Sequence, residues 1–231
     1  MQTYWDARQA QRQQQVERGT IDAGSRADVT GGSQMGALEV LAVDILEEAG
    51  LDRLHVRRNI GLELPGYYRP EKRWDLIIVA ERQGKKELVA AIEFKSQVGP
   101  SFGNNFNNRV EEAIGNANDL WTAYREGRFG EAPRPLLGYF FLLEECPRVH
   151  GVVRLKQPHF PVDPVFANSS YSRRYETFCR RLLLERLYDT ACLVLATKGS
   201  DTQISEPAED LNFDRFAREL RGCAARFQQV Q

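Results

Sequence analysis

The segment Trp74–Lys95, WDLIIVAERQGKKELVAAIEFK, contains two apolar runs separated by a polar turn. The length and aliphatic content of each run predict a buried β-strand, and the residues around Gly84 predict a hairpin turn between them. If the chain folds back at Gly84, Asp75 lies opposite Glu93, because each is nine residues from that glycine. Lys95 follows two residues later, on the same face of the sheet as Glu93. The sequence therefore predicts two carboxylates and one ammonium group on one side of a sheet.

This group of charges suggests a metal site. Charged side chains at the ends of buried strands are costly unless they are paired or bound to a metal. Carboxylate oxygens are the ligands of hard divalent cations. A helix predicted over residues 34–49 adds a candidate, because Glu39 falls on its apolar stripe between Leu38 and Ala42. Such a carboxylate needs either a metal or a buried basic partner, and the sequence leaves both open.

Bulk composition restricts the class of protein. The chain has 231 residues, 42% hydrophobic and 27% charged, with a net charge of −1, which is typical of a soluble globular protein. No apolar run is long enough for a membrane helix, and residues 1–15 do not resemble a secretory signal. The four cysteines and three histidines have no metal-ligand spacing, which argues against zinc. We therefore expect reduced thiols, a cytoplasmic location and no membrane partner.

The order of predicted elements indicates the fold class. We expect a polar helix over 3–18, a loop over 19–33 and a helix over 34–49 that ends at Gly50. The next predicted elements are a strand over 55–62, the hairpin 74–81/87–95, a loop over 97–106, a helix over 107–126 and a strand over 136–143. An irregular segment over 144–170, a helix over 171–189, a strand over 191–197 and a helix over 211–227 complete the chain. This pattern predicts a mixed α/β sheet flanked by helices.

Two regions have side chains suited to a polyanion. Residues 148–186 contain eight Lys and Arg against three acidic residues, which fits either a basic groove or a solvated charged helix. The helix over 107–126 has Arg109, Glu112, Asn116 and Asp119 opposite its apolar side, and Asn104, Asn105, Asn107 and Asn108 precede or begin it. Asn and Arg contact adenine and guanine edges. A solvated helix face with an Asn-rich cap explains the same pattern.

The set of charged residues resembles the PD-(D/E)xK nuclease core, although Trp74 stands where a proline often precedes the aspartate. The resemblance implies that Asp75, Glu93 and the carbonyl of Phe94 bind Mg²⁺. It also implies that Lys95 positions the attacking water and that Glu39 assists.

The surrounding motifs are more specific. Residues 73–76, 91–109 and 111–117 are similar to the XhoI type of type II restriction endonuclease. This likeness implies a homodimer that cuts double-stranded DNA at CTCGAG with Mg²⁺, leaves 5′ overhangs, and has a cognate DNA methyltransferase in the host. It implies one domain over 1–231, with a polar helix and loop over 1–33, a catalytic core over 34–143 and a DNA-contacting and closing segment over 144–231. The DNA-contact candidates are Asn104, Asn105, Asn107, Asn108, Arg109, Lys156, Asn168, Ser169, Arg173 and Arg174.

Three other interpretations stay open at this point. A structure-specific repair or recombination nuclease on the same core would cut without a fixed sequence. A DNA-binding module with a non-catalytic core would bind without cutting. The charges around Asp75 could also form a surface ion network without function.

Overall fold

The structure is a computed structural model that describes residues 35–82, 84–199 and 201–229. The polar helix expected over 3–18 and the loop over 19–33 lie outside these ranges. The helices are α1 (Gly36–Glu48), α2 (Phe102–Arg125), α3 (Pro147–His150), α4 (Tyr171–Leu184) and α5 (Phe213–Gln229). The strands are β1 (Val56–Arg57), β2 (Glu63–Pro65), β3 (Glu71–Arg73), β4 (Leu76–Arg82), β5 (Lys85–Gln97), β6 (Leu136–Glu145), β7 (Thr190–Thr197) and β8 (Ile204–Ser205).

Six strands form one mixed sheet in the order β1-β4-β5-β6-β7-β8. The pairs β5/β6 and β6/β7 are parallel, and the remaining neighbours are antiparallel. Side chains of α1 and α5 pack on one face of the sheet, and side chains of α2 and α4 pack on the other. The predicted mixed α/β sheet flanked by helices is therefore confirmed.

A separate ribbon made of β2 and β3 lies next to the sheet. Its apolar residues Leu62, Leu64 and Trp74 join the core on the α2 and α4 face. The chain between the two strands, residues 66–70, forms the tip of this ribbon. This arrangement places β3 immediately before Asp75 and β4.

The register of the β4–β5 hairpin contains one extra residue. Leu76 pairs with Ile92 and Ile78 with Ala90, but Val79 pairs with Leu88, so Val89 has no partner on β4. Val89 and Ala90 consequently both pack on the α1 and α5 face, which is the signature of a β-bulge. Without it, the tight turn would shift the register by one residue and turn Glu93 to the other face. The bulge thus produces the predicted alignment of Asp75 with Glu93.

The helix predicted over 34–49 is confirmed, with its apolar stripe buried against the sheet. Gly50, at φ +88°, ends it. Its amide donates to the carbonyl of Glu47 over 2.8 Å, and the amide of Leu51 donates to Leu46 over 3.0 Å. This pattern is a Schellman motif, which needs a left-handed residue that glycine adopts without strain.

Several predicted boundaries were wrong. The strand expected over 55–62 is reduced to Val56–Arg57, and α4 ends at Leu184 rather than at 189. Helix α2 begins at Phe102, five residues earlier than expected, because Phe102 is buried in the core and packs against Tyr171. Tertiary packing here outweighs the low helix propensity of Gly and Asn.

The orientation of α2 also differs from the expectation. Arg109, Asn116 and Asp119 are buried, whereas Ile114 on the apolar side is exposed. Three residues of the polar side of α2 therefore face the protein interior rather than solvent, whereas Glu112 of the same side stays exposed. Among the described residues, no helix is long and apolar enough to span a membrane.

Candidate active site

The hairpin brings Asp75, Glu93 and Lys95 together. The Nζ atom of Lys95 lies 3.0 Å from Oε1 of Glu93 and 3.4 Å from Oδ2 of Asp75. The backbone amide of Phe94 donates to the same Asp75 oxygen over 2.8 Å. The convergence predicted from the register is confirmed, and Asp75 and Lys95 both retain access to solvent.

Glu93 is the most enclosed member, with only 1% of its surface exposed. Besides Lys95, it receives hydrogen bonds from Nδ2 of Asn116 at 2.8 Å and from the hydroxyl of Tyr188 at 2.9 Å. A second lysine, Lys72 of β3, lies 3.4 Å from Oε1. Each carboxylate oxygen of this buried acid therefore has at least one donor.

The partners of Glu93 determine its charge. Burial raises the pKa of Glu93, but Lys95 and Lys72 outweigh this effect and lower the pKa to about 2. Burial lowers the pKa of Lys95, but Glu93 and Asp75 more than compensate and raise it. For Lys72, burial outweighs the attraction of Glu93 and the pKa is lowered. The site is therefore built around an ionised Glu93 and a protonated Lys95.

Glu39 occupies the edge of the site. It is buried on α1 and lies 3.5 Å from Nε of Arg58, as in the ion-pair interpretation. It also lines a pocket with Asp75 and Arg73. Burial raises the pKa of Glu39, and the attraction of Arg58 opposes this only in part. The structure thus gives Glu39 a basic partner and places it near Asp75 at the same time.

The donor set suits a hard cation. Within residues 35–82, 84–199 and 201–229, no group of three or more His, Cys, Asp or Glu side chains is placed to hold a metal ion. Mg²⁺ keeps several waters and needs only one or two protein carboxylates. The carboxylates of Asp75 and Glu93 lie close together, because the ammonium group of Lys95 contacts both of them. Two carboxylates with an adjacent backbone carbonyl fit the ligand preference of Mg²⁺.

The DNA-contact candidates divide into two groups. Exposed or partly exposed on the surface are Asn104, Asn105, Asn107, Asn108, Lys156, Asn168 and Arg173. Ser169 is buried and accepts a hydrogen bond from Arg174 over 3.0 Å, so this pair supports the loop before α4. Arg109 is buried and pairs with Glu112. The solvated-face interpretation is therefore wrong for Arg109, and its contact with DNA stays a prediction.

Sequence reasoning missed three partners of Glu93, namely Lys72, Asn116 and Tyr188. Lys72 lies close to Asp75 in the sequence but showed no apolar pattern that would indicate burial. Asn116 lies on the polar side of α2, for which the sequence left a nucleic-acid contact or a solvated face open, and neither predicts a contact with Glu93. Tyr188 lies 95 residues from Glu93, so only the fold brings them together.

Comparison with known proteins identifies the family. The model of the family described as Restriction endonuclease XhoI matches residues 14–206. The chain is 45% identical to Type II restriction enzyme BstVI of Geobacillus stearothermophilus over 202 residues, which cover 86% of this chain and 90% of that protein. It is 46% identical to Type II restriction enzyme XhoI of Xanthomonas vasicola over 184 residues, covering 79% and 72% of the two chains.

A third relative is Type II restriction enzyme AbrI of Azospirillum brasilense, 50% identical over 159 residues that cover 68% of this chain and 69% of that one. No solved structure matches the chain significantly. The family match spans most of the sequence and includes all four residues of the predicted catalytic set. The chain therefore belongs to the XhoI family of type II restriction endonucleases.

Proposed function

We propose that this enzyme hydrolyses duplex DNA with Mg²⁺ at a PD-(D/E)xK site formed by Asp75, Glu93 and Lys95. The observation that carries the proposal is the position of Lys95, whose ammonium group lies within 3.4 Å of both carboxylates. Asp75 and Glu93, with the Phe94 carbonyl, are the proposed metal ligands. A bound Mg²⁺ would supply charge neutralisation at the scissile phosphate.

The side chains of the enzyme have separate proposed roles. Lys95 stays protonated between Asp75 and Glu93, so it orients the attacking water rather than deprotonating it. Asn116, Lys72 and Tyr188 hold the Glu93 carboxylate in one orientation. Glu39 keeps its ion pair with Arg58 and assists from the edge of the pocket.

The proposed substrate is the palindrome CTCGAG, cut to leave 5′ overhangs. A relative named Type II restriction enzyme XhoI and the motif likeness over 73–117 support this choice. A palindrome suits a two-fold homodimer with one site per strand. We propose that the whole chain forms one domain and that the surface residues Asn104, Asn105, Asn107, Asn108, Lys156, Asn168 and Arg173 contact the DNA. A DNA methyltransferase in the host would protect the same sequence.

Digestion of a sequenced plasmid with Mg²⁺, followed by mapping of the ends, tests the proposal. We expect every end to map to CTCGAG with a 5′ overhang. Asp75→Ala should abolish cleavage, and equal cleavage by this variant would remove Asp75 from the mechanism. Ends without a common sequence would favour a structure-specific nuclease instead.

A further inference from the structure

The tip of the β2–β3 ribbon, residues 66–70, presents two exposed aromatic side chains. Tyr67 is 49% exposed and Tyr68 is 74% exposed, and their ring centroids lie 4.9 Å apart. Arg69 and Arg128 line the same surface depression. Tyrosine and arginine are common phosphate and sugar contacts in protein–DNA complexes and are enriched at binding hot spots.

The backbone of this loop is held by a buried carboxylate. Oδ1 of Asp119 accepts the amide hydrogens of Tyr67 at 2.7 Å and Tyr68 at 2.8 Å, and Oδ2 accepts from Nε of Arg69 at 2.7 Å. Gly66 permits this close approach, because a Cβ atom there would lie 2.6 Å from Oδ2 and 2.6 Å from the carbonyl oxygen of Arg69. An exposed pair of tyrosines is thus fixed to the inward face of α2.

The same contacts continue to the candidate active site. Nη2 of Arg69 donates to Oδ1 of Asn116 over 2.7 Å, and Nδ2 of Asn116 donates to Oε1 of Glu93 over 2.8 Å. Asn116 uses its acceptor toward the loop and its donor toward Glu93, so one side-chain amide connects Arg69 with Glu93. Arg69 is therefore both part of the loop and two hydrogen bonds from the proposed metal ligand.

We propose that residues 66–70 contact duplex DNA, and that Arg69 and Asn116 transmit the position of this loop to Glu93. This inference rests on the proposed nuclease function. DNA is the favoured occupant because the depression pairs exposed tyrosines with two arginines, and the hydrogen bonds of Arg69 and Asn116 connect it to Glu93 of the proposed nuclease site. Asn116 is a positioning residue in this scheme, and Tyr67 and Tyr68 are contact residues.

Binding is measured first, with a fluorescent CTCGAG duplex and Ca²⁺ in place of Mg²⁺. The double variant Tyr67→Ala/Tyr68→Ala should raise Kd at least about tenfold. Ile204→Ala is the matched control, because Ile204 is 57% exposed on β8 at the far edge of the sheet, and its Kd should stay within about twofold. An unchanged Kd for the tyrosine variant overturns the DNA contact. A higher Kd that arises only because the variant forms fewer dimers, each of which binds DNA with the wild-type affinity, overturns it as well.

Single-turnover cleavage then tests the transmission. Asn116→Ala should leave Kd within about threefold but slow cleavage at least about tenfold. The triple variant combines Asn116→Ala with Tyr67→Ala/Tyr68→Ala. If the loop acts through Asn116, the fold-loss of its cleavage rate should be at least about fivefold smaller than the product of the fold-losses of the two separate variants. Thermal unfolding identifies any variant that is merely unfolded.

Tyr188→Phe is the control for this comparison, because it removes a different hydrogen bond to Glu93 that does not lead to the loop. When Tyr188→Phe is combined with the tyrosine variant, the fold-loss of the cleavage rate should equal the product of the two separate fold-losses within about twofold. Multiplicative effects in both comparisons overturn the transmission through Asn116. Absence of duplex cleavage by the wild-type enzyme would instead refute the nuclease function, and the inference with it.

Discussion

Replacing Glu93 by glutamine removes a negative charge that lies close to two lysines, and the structure gives the expected loss of stability. The pKa of Glu93 falls from 4.5 to about 2 in the folded protein because Lys95 and Lys72 outweigh its burial. At ~1.4 kcal/mol per pH unit, that decrease corresponds to about 3 kcal/mol of stabilisation of the ionised carboxylate. Glu93→Gln should therefore lower the free energy of unfolding of the metal-free enzyme by about 3 kcal/mol at pH 7.

The pH dependence follows from the direction of the change. A carboxylate with a lowered folded pKa contributes its stability above the unfolded pKa of 4.5, and this contribution disappears as the pH falls toward about 2. The difference between the wild-type enzyme and Glu93→Gln should therefore be full at pH 7 and small near pH 2. Urea unfolding in EDTA, repeated across this range, measures it.

A surface carboxylate provides the matched control. Glu47 pairs with Arg53 at 3.1 Å on the surface, and exposed pairs of this kind contribute at most about 1 kcal/mol. Glu47→Gln should consequently change the free energy of unfolding far less than Glu93→Gln. If the free energy of unfolding of Glu93→Gln were within about 1 kcal/mol of the wild-type value at pH 7, the conclusion that two lysines stabilise the buried Glu93 carboxylate would be refuted.

Lys72→Met removes a positive charge from the proposed metal site and should tighten Mg²⁺ binding by about tenfold in calorimetry; unchanged or weaker binding would contradict this. Tyr188→Phe removes one hydrogen bond to Glu93, so it should cost about 1–2 kcal/mol at pH 7 and move acid unfolding to higher pH, and superimposable acid profiles would argue against it. Gly66→Ala forces a Cβ atom to 2.6 Å from a backbone oxygen and should destabilise the enzyme by about 2 kcal/mol in urea. Gly115→Ala, in the open, should not destabilise it.

The part of the site that lies on the hairpin could be predicted because it depends on local spacing. Asp75, Glu93 and Lys95 are connected by one short segment, and strand periodicity places them on one face. The register itself needed the bulge at Val89. No sequence pattern marks Val89 as an extra residue, because it is one aliphatic residue within an aliphatic strand.

The remainder of the site could not be predicted because it breaks the usual pattern of burial. Sequence reasoning assumes that the polar side of a helix faces water, whereas α2 turns Asn116 and Asp119 toward the sheet and the ribbon. Burying these polar groups does not destabilise the fold, because each has hydrogen-bond partners from distant segments. The same assumption places Arg109 on the surface of α2, whereas it is buried.

The bulge at Val89 divides the β4–β5 hairpin into two parts with different tolerance to change. On the side of the site, the pairs from Leu76↔Ile92 to Ile78↔Ala90 fix the register, and they do not depend on how the distal strands meet. A longer connection around Gly84 would therefore alter only the distal pairs. An epitope or a fluorescent reporter could therefore be grafted at this turn without displacing the candidate active-site residues.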